Sequence, residues 1–153
     1  MVLEASDADG VVLRYAQFYG PGTYFAPDGD FARRARRRML PVVGDGSGVF
    51  SFLHVEDAAA AAVCALERGA GVYNVADDEP AAAREWIPLF CRALGAPRPM
   101  RVPVWLARLF AGSFVATVME RSRGVGNAKA KAELTWSPRF PTWRTGFLAR
   151  ATT

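Results

Sequence analysis

The feature that most constrains the fold is the segment Val11–Phe18, which begins as a continuous apolar run and is rich in β-branched and aromatic residues. Such a run is typical of a strand that is buried on both faces, as in a parallel sheet. The strand is predicted to end at the turn cluster Tyr19–Gly22. We therefore expect an α/β fold.

Helices and short extended segments alternate along the rest of the chain. The alanine-rich stretch from Ala58 to Glu67 predicts a helix, and Glu56 and Asp57 at its start suit the positive end of the helix dipole. Gly69 and Gly71 are predicted to end it. Further strands are predicted at Leu40–Val43, Phe50–Val55 and Val72–Val75, and further helices from Asp30 through the arginine run, around Trp86–Leu94, and at Trp105–Phe110, Phe114–Met119, Ala128–Leu134 and Trp143–Arg150.

The chain has 153 residues, of which 51% are hydrophobic and 22% charged, and this predicts one globular domain over residues 1–153. The longest apolar stretch, Val102–Met119, contains Pro103, Arg108 and Gly112. A membrane span needs about 20 apolar residues with few charges, so we expect instead a buried helix or helix pair in a pocket wall. The aromatic residues of that stretch, with Trp86, are at helical spacing and are interpreted as core.

The polar and acidic start, Met1–Gly10, is unlike a signal peptide, and this predicts a cytoplasmic protein. Cys64 and Cys91 lie in apolar helical patterns, so no disulfide framework is implied and a reducing compartment is the simpler interpretation. One histidine and two dispersed cysteines give no metal-binding pattern.

Four segments carry distinctive motifs, and together they cover nearly the whole chain. They are Leu13–Gly22, Gly44–Gly46 with Phe52–Ala59, Tyr73–Val75, and Asn127–Leu134 with Trp136, Pro138, Trp143–Arg144 and Gly146–Phe147. In their order and spacing they resemble the C-terminal half of the extended short-chain dehydrogenases/reductases, the NAD-dependent epimerase/dehydratase family. The resemblance implies a small two-strand remnant of a parallel sheet with a mostly helical lobe that binds substrate. In the family, the strand that resembles Leu13–Phe18 leads into the loop that meets both nicotinamide and substrate.

Two family features are absent from the sequence. A dinucleotide site needs a glycine-rich turn between a first strand and a helix, whereas Gly44–Gly48 follows a short late strand and is interpreted as a loop. The family's catalytic Tyr-x-x-x-Lys pair is also missing, since neither Tyr15 nor Tyr19 precedes a lysine at that spacing. We therefore expect no cofactor, and no binding of NAD or NADP by this chain.

The resemblance also bears on the ligand. Sugar-nucleotide members of the family carry a diphosphate-binding arginine at the position that matches Phe50, and an aromatic ring cannot pair with phosphate. The resemblance therefore implies a smaller, more apolar substrate, which Phe50 would help to bind.

Four further residues are candidates for the site. Gln17 replaces a family asparagine that faces the substrate; its amide would orient a carbonyl or hydroxyl, or it would be a buried amide satisfied by backbone. His54, the single histidine, would act as a general acid or base, or serve a structural role beside the helix start. Tyr15 and Tyr19 would donate hydrogen bonds into the pocket, with Tyr19 also in a catalytic role, or both would be core aromatics.

Three functions remain open. The first is a repurposed, cofactor-independent enzyme of secondary metabolism that cyclises, isomerises or dehydrates an apolar metabolite. The second is a non-catalytic binding or helper protein, and the third is a split half that needs a separate nucleotide-binding chain. The expected partner is a small-molecule substrate, without nucleic acid or membrane.

Two surface features each allow two interpretations. The strand edge at Val11–Leu13 lacks its family neighbour, and this predicts a homodimer or a partner chain that covers it. The arginine run Arg33–Arg38 would hold an anionic handle such as a phosphopantetheine or CoA phosphate, or it would be a solvated helix face.

Overall fold

The computed structural model describes residues 10–148. The expectations for Met1–Asp9, including the absence of a signal peptide, and for the end of the last helix at Arg150 lie outside the described residues. The α/β class is confirmed, with eight short strands and six helices in the described part of the chain. The strands are β1 (Val11–Tyr15), β2 (Gln17–Tyr19), β3 (Val42–Val43), β4 (Val49–Phe50), β5 (Phe52–His54), β6 (Gly71–Val75), β7 (Ala81–Ala82) and β8 (Arg101–Val102).

The strands form four two-stranded pairs, three parallel and one antiparallel, rather than the single pair expected. Strand β1 runs parallel to β6, in a register that places Leu13 opposite Tyr73. The run Val11–Phe18 is not one strand, because at Ala16 the chain leaves β6 and β2 continues parallel to β5. The other pairs are β3 with β8 and β4 with β7.

Helices connect and cover these strands. The longest continuous helix, α2, follows β5 directly and returns the chain to β6. Because β6 pairs with β1 and β5 pairs with β2, α2 connects the two strands that lie beside the bend between β1 and β2. The helices are α1 (Asp30–Arg36), α2 (Val55–Arg68), α3 (Ala83–Ala93), α4 (Val104–Arg121), α5 (Ala128–Glu133) and α6 (Trp143–Leu148).

Two apolar clusters hold the fold together. The larger is aromatic and joins α1, α3 and α6 to the strand ends; the smaller packs α2 and α5 on the β1–β6 pair. Burial of one large side chain contributes about 1.5–3 kcal/mol, so these clusters dominate the stability. The largest members of the first are Tyr19, Phe25, Phe52, Trp86, Phe90 and Trp143, and of the second Leu53, Tyr73, Val75, Leu134 and Trp136.

Helix α4 corrects one expectation. The sequence predicted a buried helix or helix pair, but Trp105, Phe110 and Phe114 are 66%, 81% and 80% exposed. Gly112 has φ 86°, a conformation outside the helical region that side chains rarely adopt, and it divides the element into two helical segments. Only Ala107 and Ala116 of this element are fully buried.

The two edges of the β1–β6 pair differ. On β6, the Lys129 ammonium donates to the Val72 carbonyl at 3.1 Å and lies 4.7 Å from the centre of the Tyr73 ring. Strand β1 pairs with β6 alone among the described strands. Its second edge therefore has no strand neighbour within residues 10–148.

Candidate functional site

A cleft opens where β1 ends and β2 begins. The Ala16 amide still donates to the Val75 carbonyl of β6, but the next amide, of Gln17, donates to the Ser51 carbonyl; both bonds measure 3.0 Å. This exchange of partners splays the strands, and ligands of open α/β sheets bind at such carboxyl ends. The strand-end cleft has a volume of about 420 Å³. It is lined by Tyr15, Ala16, Gln17, Val49, Phe50, Ser51, Val118 and Ser122–Val125.

Three of the predicted site residues meet in this cleft: Tyr15, Gln17 and Phe50. The side-chain amide of Gln17 makes no hydrogen bond to any residue in the range 10–148, so the alternative of an amide satisfied by backbone is not what the structure shows. The Tyr15 hydroxyl is engaged, since it donates to the Ala58 carbonyl at 3.3 Å. Burial raises the pKa of Tyr15 above its ordinary value.

The far rim of the cleft is a segment that sequence reasoning missed, Ser122–Val125. The Ser51 hydroxyl donates to the Val125 carbonyl at 3.0 Å and accepts from the Val125 amide at 2.9 Å. Gly124 has φ 67°, and a Cβ there would lie 3.0–3.2 Å from atoms of Val49, Pro80 and Ser51. Only glycine therefore lets the segment lie this close to β4.

This anchoring places Arg123 at the cleft. Its guanidinium is exposed and forms no ion pair with any described acidic residue. The sequence gives little indication of this position, because Arg123 is placed by the contact between Ser51 and Val125. These two residues are 74 positions apart in the chain, and no spacing rule links them. An unpaired guanidinium beside a free amide can bind an oxyanion and orient the group attached to it.

His54 and Tyr19 lie away from this cleft and contact each other, with ring centres 5.2 Å apart. The His54 Nδ1 atom accepts from the Glu56 amide at 3.3 Å and so caps α2, and its ring lies 3.9 Å from that of Phe140. Tyr19 is 1% exposed, and its hydroxyl has no hydrogen-bond partner among the described residues. Burial, and then the charges of Asp77 and Asp57, raise the pKa of Tyr19 far above its ordinary value.

Two buried carboxylates position the loops around that pair. Asp57 accepts from the Arg139 and Phe140 amides at 2.8 and 2.9 Å. Asp77 accepts from the Trp143 amide at 2.8 Å and the Glu79 amide at 3.3 Å, which fixes the start of α6. Burial raises the pKa of Asp77 to about 7.

The glycine-rich segment between β3 and β4 lacks the geometry of a dinucleotide-binding turn. The glycine-rich segment Gly44–Gly48 connects β3 to β4 and no helix begins from it, so it is a loop, as predicted. The Gly46 carbonyl accepts from the Arg84 amide at 3.0 Å, and a Cβ on Gly46 would lie 2.8 Å from that nitrogen. Here the space against the helix start is filled by the loop itself. The loop Gly44–Gly48 therefore offers no glycine-rich cradle for the pyrophosphate of a dinucleotide.

Residues 10–148 contain neither a metal-ligating cluster nor a membrane-spanning helix. No group of three or more metal-ligating side chains occurs in that range, and none of its helices has the length and hydropathy needed to cross a membrane. Both cysteines are free thiols.

Residues 2–76 match the family described as the NAD dependent epimerase/dehydratase family. A 3-diazoavenalumate denitrifying reductase of a Streptomyces species is 46% identical over 146 residues, which are 95% of this chain and 48% of that protein. A 2-alkyl-3-oxoalkanoate reductase of Stenotrophomonas maltophilia is 36% identical over 107 residues, 63% of this chain and 32% of that protein. The chain thus spans half or less of the length of these curated relatives.

Among solved structures, the human epimerase family protein SDR39U1, crystallised with NADPH, superimposes with a TM-score of 0.79 at 23% identity. The match covers 96% of this chain and 50% of that protein. It establishes the fold, while the match of residues 2–76 confirms the resemblance to the epimerase/dehydratase family.

Proposed function

Because the chain corresponds to the C-terminal half of a protein of the NAD dependent epimerase/dehydratase family, we propose that it is the substrate-binding half of a reductase whose nucleotide-binding half supplies the reducing chemistry. The observation that carries this proposal is the strand-end cleft, where the free Gln17 amide and the unpaired Arg123 guanidinium line the same space. This is the split-half alternative of the sequence analysis.

The substrate we propose is a small organic carboxylate. Both curated relatives are reductases whose names specify carboxylate substrates, a diazoavenalumate and a 2-alkyl-3-oxoalkanoate. Arg123 would pair with the carboxylate through two parallel N–H···O bonds. Phe50, 5% exposed and part of the cleft lining, would pack on the apolar body, which agrees with the prediction of a non-sugar ligand.

Within this cleft the residues have separate tasks. Gln17 would donate to the oxygen of the reacting carbonyl, or accept from the hydroxyl that replaces it, and so orient the group to be reduced. Tyr15, held by its bond to the Ala58 carbonyl, would form part of the cleft wall against which the substrate packs. In this proposal the chain itself binds the substrate and orients its reacting carbonyl.

The open edge of β1 suits such a partner half. Parallel sheets of α/β proteins are covered on both faces and continue through several strands, whereas β1 has one strand neighbour among the described residues. A strand of the nucleotide-binding half would pair along Val11–Tyr15 and bring the reducing group to the end of β1.

Calorimetric titration of the chain with a 2-alkyl-3-oxoalkanoate tests the proposal. We expect saturable binding that Arg123→Ala weakens by about tenfold or more, since a charge-assisted pair is lost. Arg121→Ala, which removes an equally exposed arginine two residues away, is the matched control and should bind as the unmodified chain does.

The same mixture, analysed for product by mass spectrometry, distinguishes this function from a cofactor-independent enzyme. The chain without a nucleotide-binding half should leave the oxoalkanoate unchanged, with or without NADPH. Turnover in the absence of any dinucleotide would contradict the proposal and support the cofactor-independent enzyme, which stays a prediction. If the Arg123→Ala variant bound the oxoalkanoate as tightly as the unmodified chain, the proposal that Arg123 pairs with the substrate carboxylate would be wrong.

A further inference from the structure

A second cavity lies apart from the strand-end cleft and carries a concentration of positive charge. It has a volume of about 800 Å³, within the usual range for small-molecule sites. Four arginines line it: Arg84, Arg92, Arg98 and Arg101. We call this cavity the arginine groove.

Three segments of the chain place these arginines. Arg84 and Arg92 lie on one face of α3, two turns apart, with Pro88 between them and also in the lining. Arg98 stands between Pro97 and Pro99, whose rings restrict the backbone on both sides. Arg101 is in β8, in register with Val42 of β3. The side chains therefore approach the groove from three directions on constrained backbone.

Local structure does not require this charge. Arg84 is in the first turn of α3, where the helix dipole disfavours a cation. None of the four guanidinium groups has an acidic oxygen within 4.0 Å among the described residues. Arg84 has only a weak electrostatic effect on Asp45, whose pKa is lowered first by hydrogen bonds from Ser47 and to a smaller extent by Arg84. By contrast, Arg34 and Arg144 each contact a carboxylate.

We propose that the arginine groove binds a small organic molecule carrying at least two phosphoryl groups. A phosphoryl group carries about −1.5 to −2 charges at neutral pH, so two of them balance four guanidinium groups, whereas a single carboxylate leaves most of the charge unpaired. Arginine binds phosphate bidentately through its planar fork. The floor of the groove is apolar, with Cys91 and Val42 buried and Pro88 and Ala96 beside them, and it suits an organic body.

This site is independent of the proposed reductase function, because it shares no residue with the strand-end cleft. A nucleic acid is the less favoured ligand for the same charges. Duplex binding uses a stripe of basic residues along a surface, whereas these four arginines surround one cavity with an apolar floor.

Calorimetric titration of the full chain with ADP, and with inorganic pyrophosphate as the anion alone, tests the proposal. We expect saturable binding of both probes, tighter for ADP because the floor adds apolar contact. The double variant Arg92→Ala/Arg98→Ala should weaken both by about tenfold or more, since charge-assisted bonds are lost. The double variant Arg68→Ala/Arg121→Ala changes net charge equally on α2 and α4, and should stay within about twofold of the unmodified chain because distant surface charges are screened.

A single variant distinguishes bidentate binding of phosphate by arginine from nonspecific attraction by positive charge. Arg98→Lys keeps the charge but loses the bidentate fork, and we expect it to weaken ADP binding by about threefold or more. Arg123→Ala should leave ADP binding unchanged, so that the failure of one site does not affect the test of the other. Equal affinities in the groove and control variants would overturn the proposal. Arginine-dependent binding of a short DNA duplex, without saturable binding of ADP, would overturn it as well.

Discussion

At the scale of single residues, the predicted site residues differ in whether their polar groups already have a hydrogen-bond partner in the protein. The Gln17 amide is free among the described residues and faces the strand-end cleft, whereas the His54 ring is 7% exposed and caps α2. A polar group that already satisfies the backbone contributes to stability, and one without a protein partner is available to a ligand. The two residues should therefore respond differently to truncation.

We expect Gln17→Ala to lower turnover of the assembled reductase by about tenfold, which is the loss of one oriented hydrogen bond, with little change in melting temperature. His54→Ala should do the reverse, and lower the free energy of unfolding by about 2 kcal/mol through the lost cap and ring contacts. Steady-state kinetics and thermal melts of both variants check this. If His54→Ala abolished turnover at an unchanged melting temperature, the acid–base role would be supported instead.

Tyr19→Phe isolates one hydroxyl. Because that hydroxyl is buried without a partner in the described part of the chain, its removal should raise the free energy of unfolding by about 1 kcal/mol. Urea denaturation measures the change, and Tyr15→Phe, which breaks the bond to the Ala58 carbonyl, is the control expected to lower stability. Loss of turnover in Tyr19→Phe with no gain in stability would indicate the catalytic role expected from the sequence.

Part of this site could be predicted from the sequence and part could not. Tyr15, Gln17 and Phe50 were found because the resemblance aligns whole strands, and strand ends carry the site in α/β folds. Arg123 was missed because its place depends on the Ser51 hydroxyl and on Gly124, two contacts formed only in the folded chain.

At the scale of elements, α6 is held by a buried carboxylate. Asp77 bonds the Trp143 amide, and Trp143 in turn donates through Nε1 to the Glu79 carbonyl at 2.9 Å. Arg144 contacts the Glu79 carboxylate and lies 4.5 Å from the centre of the Trp143 ring. The start of α6 is thus fixed to the segment that follows β6.

Asp77 makes the stability pH-dependent. Its pKa is raised from 3.8 to about 7 by burial, so between these values the folded chain keeps a proton that the unfolded chain has lost. The free energy of unfolding should therefore fall as pH rises from about 4 to about 7, by up to about 1.4 kcal/mol per pH unit. Urea denaturation at several pH values measures the slope, and Asp77→Asn should remove this contribution. An equal slope in both proteins would contradict the assigned pKa.

Element boundaries were predicted where local signals agree. The alanine-rich helix and the strand near Val72 were placed within two residues, since caps and composition point to the same limits. Helix α4 was misjudged, because an apolar composition does not reveal which partner covers it. The break at Ala16 was also missed, since it comes from pairing with β5 and not from the residue itself.

At the scale of the whole molecule, helix α4 exposes several large apolar side chains. Trp105, Leu109, Phe110 and Phe114 are all more than 60% exposed, and the second edge of β1 is unpaired among the described strands. Contiguous exposed apolar patches mark interaction surfaces. These two features, one of side chains and one of backbone, both favour association.

We expect the chain without a nucleotide-binding half to self-associate. Sedimentation equilibrium at low micromolar concentration should give a mass above 16.6 kDa. Leu13→Lys would place a charge in the exposed strand and should shift the mass toward the monomer, since lysine blunts strand edges. Arg14→Lys is the matched control on the same strand. A monomer mass for the unmodified chain would contradict the prediction.

The unequal edges of the β1–β6 pair also limit how far such association can proceed. Fibrous polymers require that each added unit present a fresh acceptor for the next one. Here the Lys129 ammonium donates a hydrogen bond to the Val72 carbonyl of β6. It therefore brings a positive charge to the edge of β6 where the backbone of another strand would pair. A strand added to β1 would therefore meet no equally open edge for the next unit, and we expect growth to stop after one step rather than to continue into amyloid-like stacking.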